Sequence, residues 1–243
     1  MRAAHAWLLA GALMAVPLPS AAATAKQTGQ PAAPPRLLNI VRVKLKPKTA
    51  ATYASLENQI VRAYDRAKAK VYWICYQSPK DPTDVLYVNL ADSPEAWDRT
   101  TATYTETMKR HPNILDLQQK LEALTASTTS TLSTRRDDVD RVSADVDFGT
   151  ARSLRLTTVD VHPGREGDFL DAVRTAPTTS GSWIVYEANQ GSTYSLMTLS
   201  RAARARAGAP SLPRSLRRTT KVLKKIDTKI YVVRPALSRR PPP

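Results

Sequence analysis

Two four-residue strings, Trp73-Ile74-Cys75-Tyr76 and Trp183-Ile184-Val185-Tyr186, constrain this chain more than anything else in it. Each is dense in β-branched and aromatic residues and reads as a buried strand. With one laid over the other, the flanking segments fall into the same order twice, the mark of an internal repeat.

In the first copy, residues 40–46 alternate, with Val41, Val43 and Leu45 on one face and Arg42, Lys44 and Lys46 on the other, and Pro47 closes the strand. Tyr53, Leu56, Ile60 and Tyr64 then recur at helical spacing, with Glu57, Asn58 and Arg62 as polar residues between them, up to about Ala69. Residues 71–76 form the second strand, 78–82 a turn, and 85–90 the third strand. Ser93-Pro94-Glu95 is a helix start, with Ser as cap, Pro in the first turn and an acid near the positive end. That helix breaks before Pro112, resumes over 113–124, and leads into a Ser/Thr-rich strand at 127–134.

The second copy repeats the plan. A strand at 156–161 ends in His162-Pro163-Gly164, a helix at 168–175 is built on Phe169, Leu170 and Val173, and strands follow at 183–186 and 194–199. A helical stretch from Arg201 breaks at Pro210 and Pro213 and resumes over 214–226, and a last strand covers 229–233. The chain therefore divides into a leader (1–25), a Pro-rich linker (26–36), one repeat (37–139), a polar linker (140–152), a second repeat (153–238) and a disordered tail (239–243).

The predicted class is α+β, with the β-α-β-β-α-β order of a ferredoxin-like unit written twice. Such a tandem resembles the dimeric α/β-barrel superfamily, particularly its antibiotic-biosynthesis monooxygenase-like members, with the usual homodimer fused into one chain. The residues that carry the resemblance are the strand-Pro-helix openings (41–47 and 157–163), the Trp-Ile-x-Tyr strands and the Arg-containing segments that close each half. The resemblance implies two four-stranded sheets facing each other across a pocket, with helices outside. It also implies a monomer that mimics a dimer. Its members include cofactor-free oxygenases, haem-handling enzymes, isomerases and proteins without known activity, so fold alone does not choose among them.

With facing sheets, strand parity turns Arg42 and Lys44 of one half, and Asp160 and His162 of the other, toward the barrel. Lys44 and Asp160 are then expected to pair across the pseudo-two-fold axis, leaving Arg42 to hold an anionic or carbonyl group. Trp73, Tyr76, Trp183 and Tyr186 are candidate walls for a planar aromatic ligand, although only one of each pair can face the barrel. Core packing, sheet ends and turns are the competing readings for all eight residues. Cys75, the single cysteine, rules out an internal disulfide and reads as a buried small hydrophobe. No spaced His, Cys, Asp and Glu cluster points to a metal, no cofactor is implied, and neither a Gly-x-Ser-x-Gly elbow nor a phosphate-binding glycine loop is present.

Arg2, an apolar run over 6–16 and Ala23-Thr24-Ala25 have the plan of a cleaved secretory signal, so a periplasmic or secreted location is expected. The formal net charge is +15, and residues 188–226 hold nine basic side chains and no acidic one. Such a balance suits an anionic envelope surface; export argues against nucleic acid. Two functions therefore stand side by side. One is the binding of a small aromatic or anionic molecule, for which the resemblance implies cofactor-independent oxygenation or isomerisation. The other is a non-catalytic, envelope-associated protein that works through its basic surface.

Overall fold

A computed structural model describes residues 34–141, 148–176, 182–202 and 221–240. Its first half runs β1 (Leu37–Leu45), α1 (Ala50–Arg66), β2 (Ile74–Gln77), β3 (Asp84–Ala91), α2 (Pro94–Arg110), α3 (Pro112–Ala123) and β4 (Thr125–Arg135). The second half runs β5 (Ser153–Val161), α4 (Glu166–Arg174), β6 (Ile184–Ala188), β7 (Thr193–Ser200) and β8 (Leu223–Val233), followed by a single 3₁₀ turn at Pro235–Leu237. The eight strands close into one antiparallel barrel in the order β1-β3-β2-β8-β5-β7-β6-β4. Among the described residues, closure leaves no sheet edge exposed to pairing by another chain.

Each half contributes four consecutive staves to this barrel, in the same relative order. The correspondence extends to local irregularities. The register of β1 against β4 shifts between Lys44 and Leu45, and that of β5 against β8 between Asp160 and Val161. One residue after each strand-closing proline the backbone turns left-handed, at Lys48 (φ 66) and Gly164 (φ 80). Glycine adopts that conformation without strain, whereas a side chain crowds the next carbonyl.

Alternation along the strands sorts the apolar residues into separate cores. Val41, Val43 and Leu45 face outward and pack with Tyr53, Ile60 and Tyr64 of α1. On the second sheet Val159 and Val161 do the same with Phe169, Leu170 and Val173 of α4. The barrel interior is a third core, drawn from both halves, in which Leu38, Tyr76, Leu86, Leu154, Met197 and Tyr231 are fully buried. The space expected between the sheets is thus occupied by side chains.

Ser93 caps α2 as expected, its hydroxyl accepting from the Ala96 amide at 3.2 Å, and α3 opens on Pro112. Two expectations are corrected. Residues 223–226, expected to end a helix, open β8, where Asp160 pairs with Lys225 and Val159 with Ile226 along β5. Basic helical periodicity and a one-sided strand look alike over so short a run. The rest of that helical stretch, over 203–220, lies outside the described residues, as does the leader. Arg239, assigned to a disordered tail, instead forms an antiparallel bridge with Trp73 and an ion pair with Asp65 at 2.7 Å. No helix among the described residues is long and apolar enough to cross a membrane.

Candidate ligand cavity

A cavity of about 450 Å³ lies in the first half, outside the barrel, between the outer face of β1 and β3 and the three helices α1, α2 and α3. Its walls are largely aromatic and aliphatic: Tyr64 and Ile60 from α1, Trp73, Tyr87 from β3, and Tyr104 and Met108 from α2. Tyr64 stands edge-on to Trp73 (ring centroids 5.5 Å, 78°) and to Tyr104 (5.8 Å, 76°), a geometry that favours the ring quadrupoles and stiffens the wall. Polar groups line it at Asn89, Thr105, Gln118 and Gln119, and charged ones at Lys109 and Glu122.

Glu57 stands at the inner end of this apolar space and is 5 % exposed. Removing a carboxylate from water disfavours its ionised form, and burial pushes the Glu57 carboxyl up to about 8 against hydrogen bonding from Tyr87 and Trp73. The Trp73 indole N–H is already given to the Leu237 carbonyl at 2.9 Å, so Tyr87 is the partner that counts. Tyr53 and Tyr87 hydroxyls are 2.9 Å apart, which makes a Tyr53–Tyr87–Glu57 chain. At neutral pH Glu57 is therefore mostly a neutral acid able to donate into the cavity. The Tyr64 hydroxyl, in the same wall, is buried without a hydrogen-bond partner among the described residues. Such an atom costs about 1–3 kcal/mol unless something in the cavity answers it.

Sequence reasoning placed Glu57 among polar residues between the helix's apolar positions. The missed signal was its spacing: four residues after Tyr53 and three before Ile60, Glu57 lies on the buried stripe. Of the eight residues singled out from sequence, only Trp73 lines the cavity. Trp183 packs in the outer core of the second half, with its indole N–H 3.3 Å from the Val139 carbonyl. Tyr76 and Tyr186 both face the barrel interior, and the Tyr186 hydroxyl donates to the Pro35 carbonyl at 2.9 Å.

The charged candidates are also distributed differently from expectation. Lys44 pairs with Asp81 at the surface instead of with Asp160, which accepts from the Thr193 hydroxyl at 2.8 Å. Arg42 is not left over. Its guanidinium grips Asp84 through two hydrogen bonds of 3.1 and 3.0 Å, and Asp84 also accepts from Lys229 at 2.7 Å and Tyr231 at 3.3 Å. Burial works to raise the Asp84 carboxyl, but the Arg42 and Lys229 hydrogen bonds outweigh it and hold the group below the usual carboxylate range. The acid that Arg42 meets comes from β3, where Asp84 stands opposite Lys44, two residues along β1 on the same face, which a repeat alignment does not reveal. His162 is an exposed turn residue whose carbonyl accepts from the Arg165 amide at 3.0 Å. The Cys75 thiol is buried, and burial raises it well above its ordinary value, so it is unreactive. Among the described residues no cluster of three or more His, Cys, Asp or Glu is placed to hold a metal ion.

No protein-family model and no curated protein matches the sequence. Solved structures do match in fold. A proposed monooxygenase from Lactobacillus acidophilus NCFM superposes with a TM-score of 0.52 at 12% identity, over 82% of this chain and 94% of that one. An anthrone oxidase-like protein gives 0.55 at 12% identity, over 82% and 91%. A proposed monooxygenase from Fusobacterium nucleatum gives 0.55 at 10% identity, over 82% and 93%. At 10–12% identity these likenesses show a shared fold, an α+β arrangement in which eight strands close a barrel.

Proposed function

We propose that this protein binds a small, planar, largely apolar molecule carrying a carbonyl or phenolic oxygen, in the cavity between the first sheet and α1–α3. The observation that carries the reading is Glu57, a carboxyl buried in the wall of a largely apolar space. A mainly apolar cavity with a few convergent polar groups and one strongly perturbed acid is the usual form of a small-molecule site. Similarity in fold to proteins described as monooxygenases and anthrone oxidase-like is consistent with that ligand class.

The chemistry that fits is proton transfer. In its neutral form Glu57 donates to the ligand oxygen. In its minor ionised form it is an unusually strong base for a carboxylate, able to take a proton from a phenol or an activated CH₂. Moving that proton alone isomerises a ketone to its enol. With molecular oxygen as the oxidant, a CH₂ becomes C=O and one water leaves. Turnover is expected to rise with pH and to level off above about 8. The test is thermal stability and oxygen uptake with an anthrone, a naphthol and a hydroquinone. Wild type should be stabilised by at least one of them. Glu57→Gln should keep binding but lose turnover, and Glu57→Leu should lose both. Stabilisation that survives Glu57→Leu undiminished would overturn the reading.

We further propose that the barrel arose by duplication, supported by the shared stave order, the matched register shifts and the two left-handed turns. Export is proposed from the leader alone. The mass of protein recovered outside the cytoplasm should correspond to a chain starting after Ala25, and an intact Met1 there would refute it.

A further inference from the structure

The segments that end the two halves change places. After β4, residues 136–141 leave the first sheet and run along the second: Arg141 bridges to Trp183, the Val139 carbonyl accepts from the Trp183 indole, and an Asp140 carboxylate oxygen accepts from the Val185 amide at 2.6 Å. After β8, residues 234–239 do the same on the first: Arg239 bridges to Trp73, the Leu237 carbonyl accepts from the Trp73 indole, and the Ser238 hydroxyl accepts from the Cys75 amide at 2.9 Å. Leu237 and Val139 are buried alike, at 4 % and 3 % exposure, each in the outer core of the opposite half. The exchange is symmetric in structure.

Its consequences are not symmetric, because the chemistry on the two sides differs. With the helix and strand registers of the halves matched, Tyr53, Glu57 and Tyr87 correspond to Phe169, Val173 and Leu196. Those three apolar residues are buried and pack in one core with Trp183. Where the first half has a hydroxyl–hydroxyl–carboxyl chain on a cavity, the second has hydrocarbon on hydrocarbon.

We propose that the two halves have divided the work: the first holds the working cavity, and the second supplies, through residues 234–239, the segment that fixes that cavity's Trp73 wall. Leu237, Ser238 and Arg239 are then positioning residues. They touch no ligand, and they act by holding Trp73 and the strand through Cys75. The proposal rests on the reading of the cavity as a ligand site given above.

The matched pair Leu237→Ala and Val139→Ala tests it, since both remove a buried aliphatic group from equivalent places. The probe is N-phenylnaphthylamine, a neutral planar fluorophore that the positive charge of the chain does not attract. Wild type should bind one probe per chain. Leu237→Ala should weaken that affinity about tenfold, as misfitting an apolar pocket does, while Val139→Ala changes it by less than about twofold, as a distant independent site does. Both variants should lose thermal stability. Two probes per chain, or equal losses of affinity in the two variants, would overturn the proposal.

A second arm needs no ligand. Cys75, the only thiol in the chain, should react with dithiodipyridine under native conditions faster in Leu237→Ala than in Val139→Ala; equal rates would overturn the positioning role. Failure of wild type to bind the probe would instead sink the ligand-site reading, and the thiol rates would then decide alone whether the segment holds the first half.

Discussion

Glu57 makes a quantitative prediction about stability that requires no knowledge of the ligand. Its carboxyl sits at about 8 in the folded chain against an ordinary value of 4.5. Between those values the folded state keeps a proton that the unfolded chain has released. Stability therefore falls as pH rises through this window, and the loss is complete above about 8. At about 1.4 kcal/mol per unit the full effect is roughly 5 kcal/mol. That is a large share of the roughly 5–15 kcal/mol that holds a typical domain together. Glu57→Gln keeps the shape and the hydrogen-bonding capacity but cannot ionise. Urea unfolding of both proteins, followed by tryptophan fluorescence at intervals from pH 5 to 9, isolates the group, because every other titration is common to the two and cancels in the difference. The variant should gain on wild type by about 1.4 kcal/mol per pH unit across the window and then level off. A difference that stays flat from pH 5 to 9 would show that Glu57 ionises freely in the folded chain, and the account of the cavity as a dry, apolar space would fail.

Asp84, 5 % exposed on its side chain and shared by Arg42 and Lys229, joins the halves across the β2–β8 seam, where only Tyr76 with Val233 and Gln77 with Val232 are in register. Asp84→Asn should destabilise by about 1–2 kcal/mol in chemical unfolding, because Lys229 loses its acid while Arg42 keeps only Asp227, at 3.6 Å. Since its folded value is depressed, the stability Asp84 supplies is present above the ordinary carboxylate range and lost as pH falls through the folded value, so the variant should show a flatter acid-unfolding curve. At the two left-handed turns, Lys48→Gly should raise stability by about 0.5–1 kcal/mol and Gly164→Lys lower it by about 1 kcal/mol, read from unfolding midpoints. Ser93→Ala removes the cap of α2 and should cost about 1 kcal/mol; a neutral result would mean the helix start is held by Pro94 alone.

Much of the architecture could be read in the residues because alternation and helical spacing report burial directly. Val41, Val43 and Leu45 identify their own face, the Trp-Ile-x-Tyr strings mark matching strands, and Pro47 and Pro163 mark matching turns. The site was less legible, for two physical reasons. First, parity divides a strand into two faces but does not say which face has room. In this chain the barrel interior, where Arg42 and Tyr76 point, is filled, while the face that carries Val41 and Tyr87 opens onto a cavity. Second, a charged residue inside an apolar helical stripe is normally solvated, so Glu57 was read as polar surface although its spacing set it with Tyr53 and Ile60. The exchanged segments at 136–141 and 234–239 lack periodicity altogether. Their partners, Trp183 and Trp73, lie far away along the chain and nothing local announces them.

The central claim is that the working space lies outside the barrel, against Glu57. The most direct measurement is a crystal structure of the chain grown with naphthol. The account predicts the ring between Tyr64, Trp73 and Tyr104, with its hydroxyl in hydrogen-bonding reach of Glu57 or Tyr64. Naphthol bound inside the barrel beside Arg42, with the outer cavity empty, would contradict it.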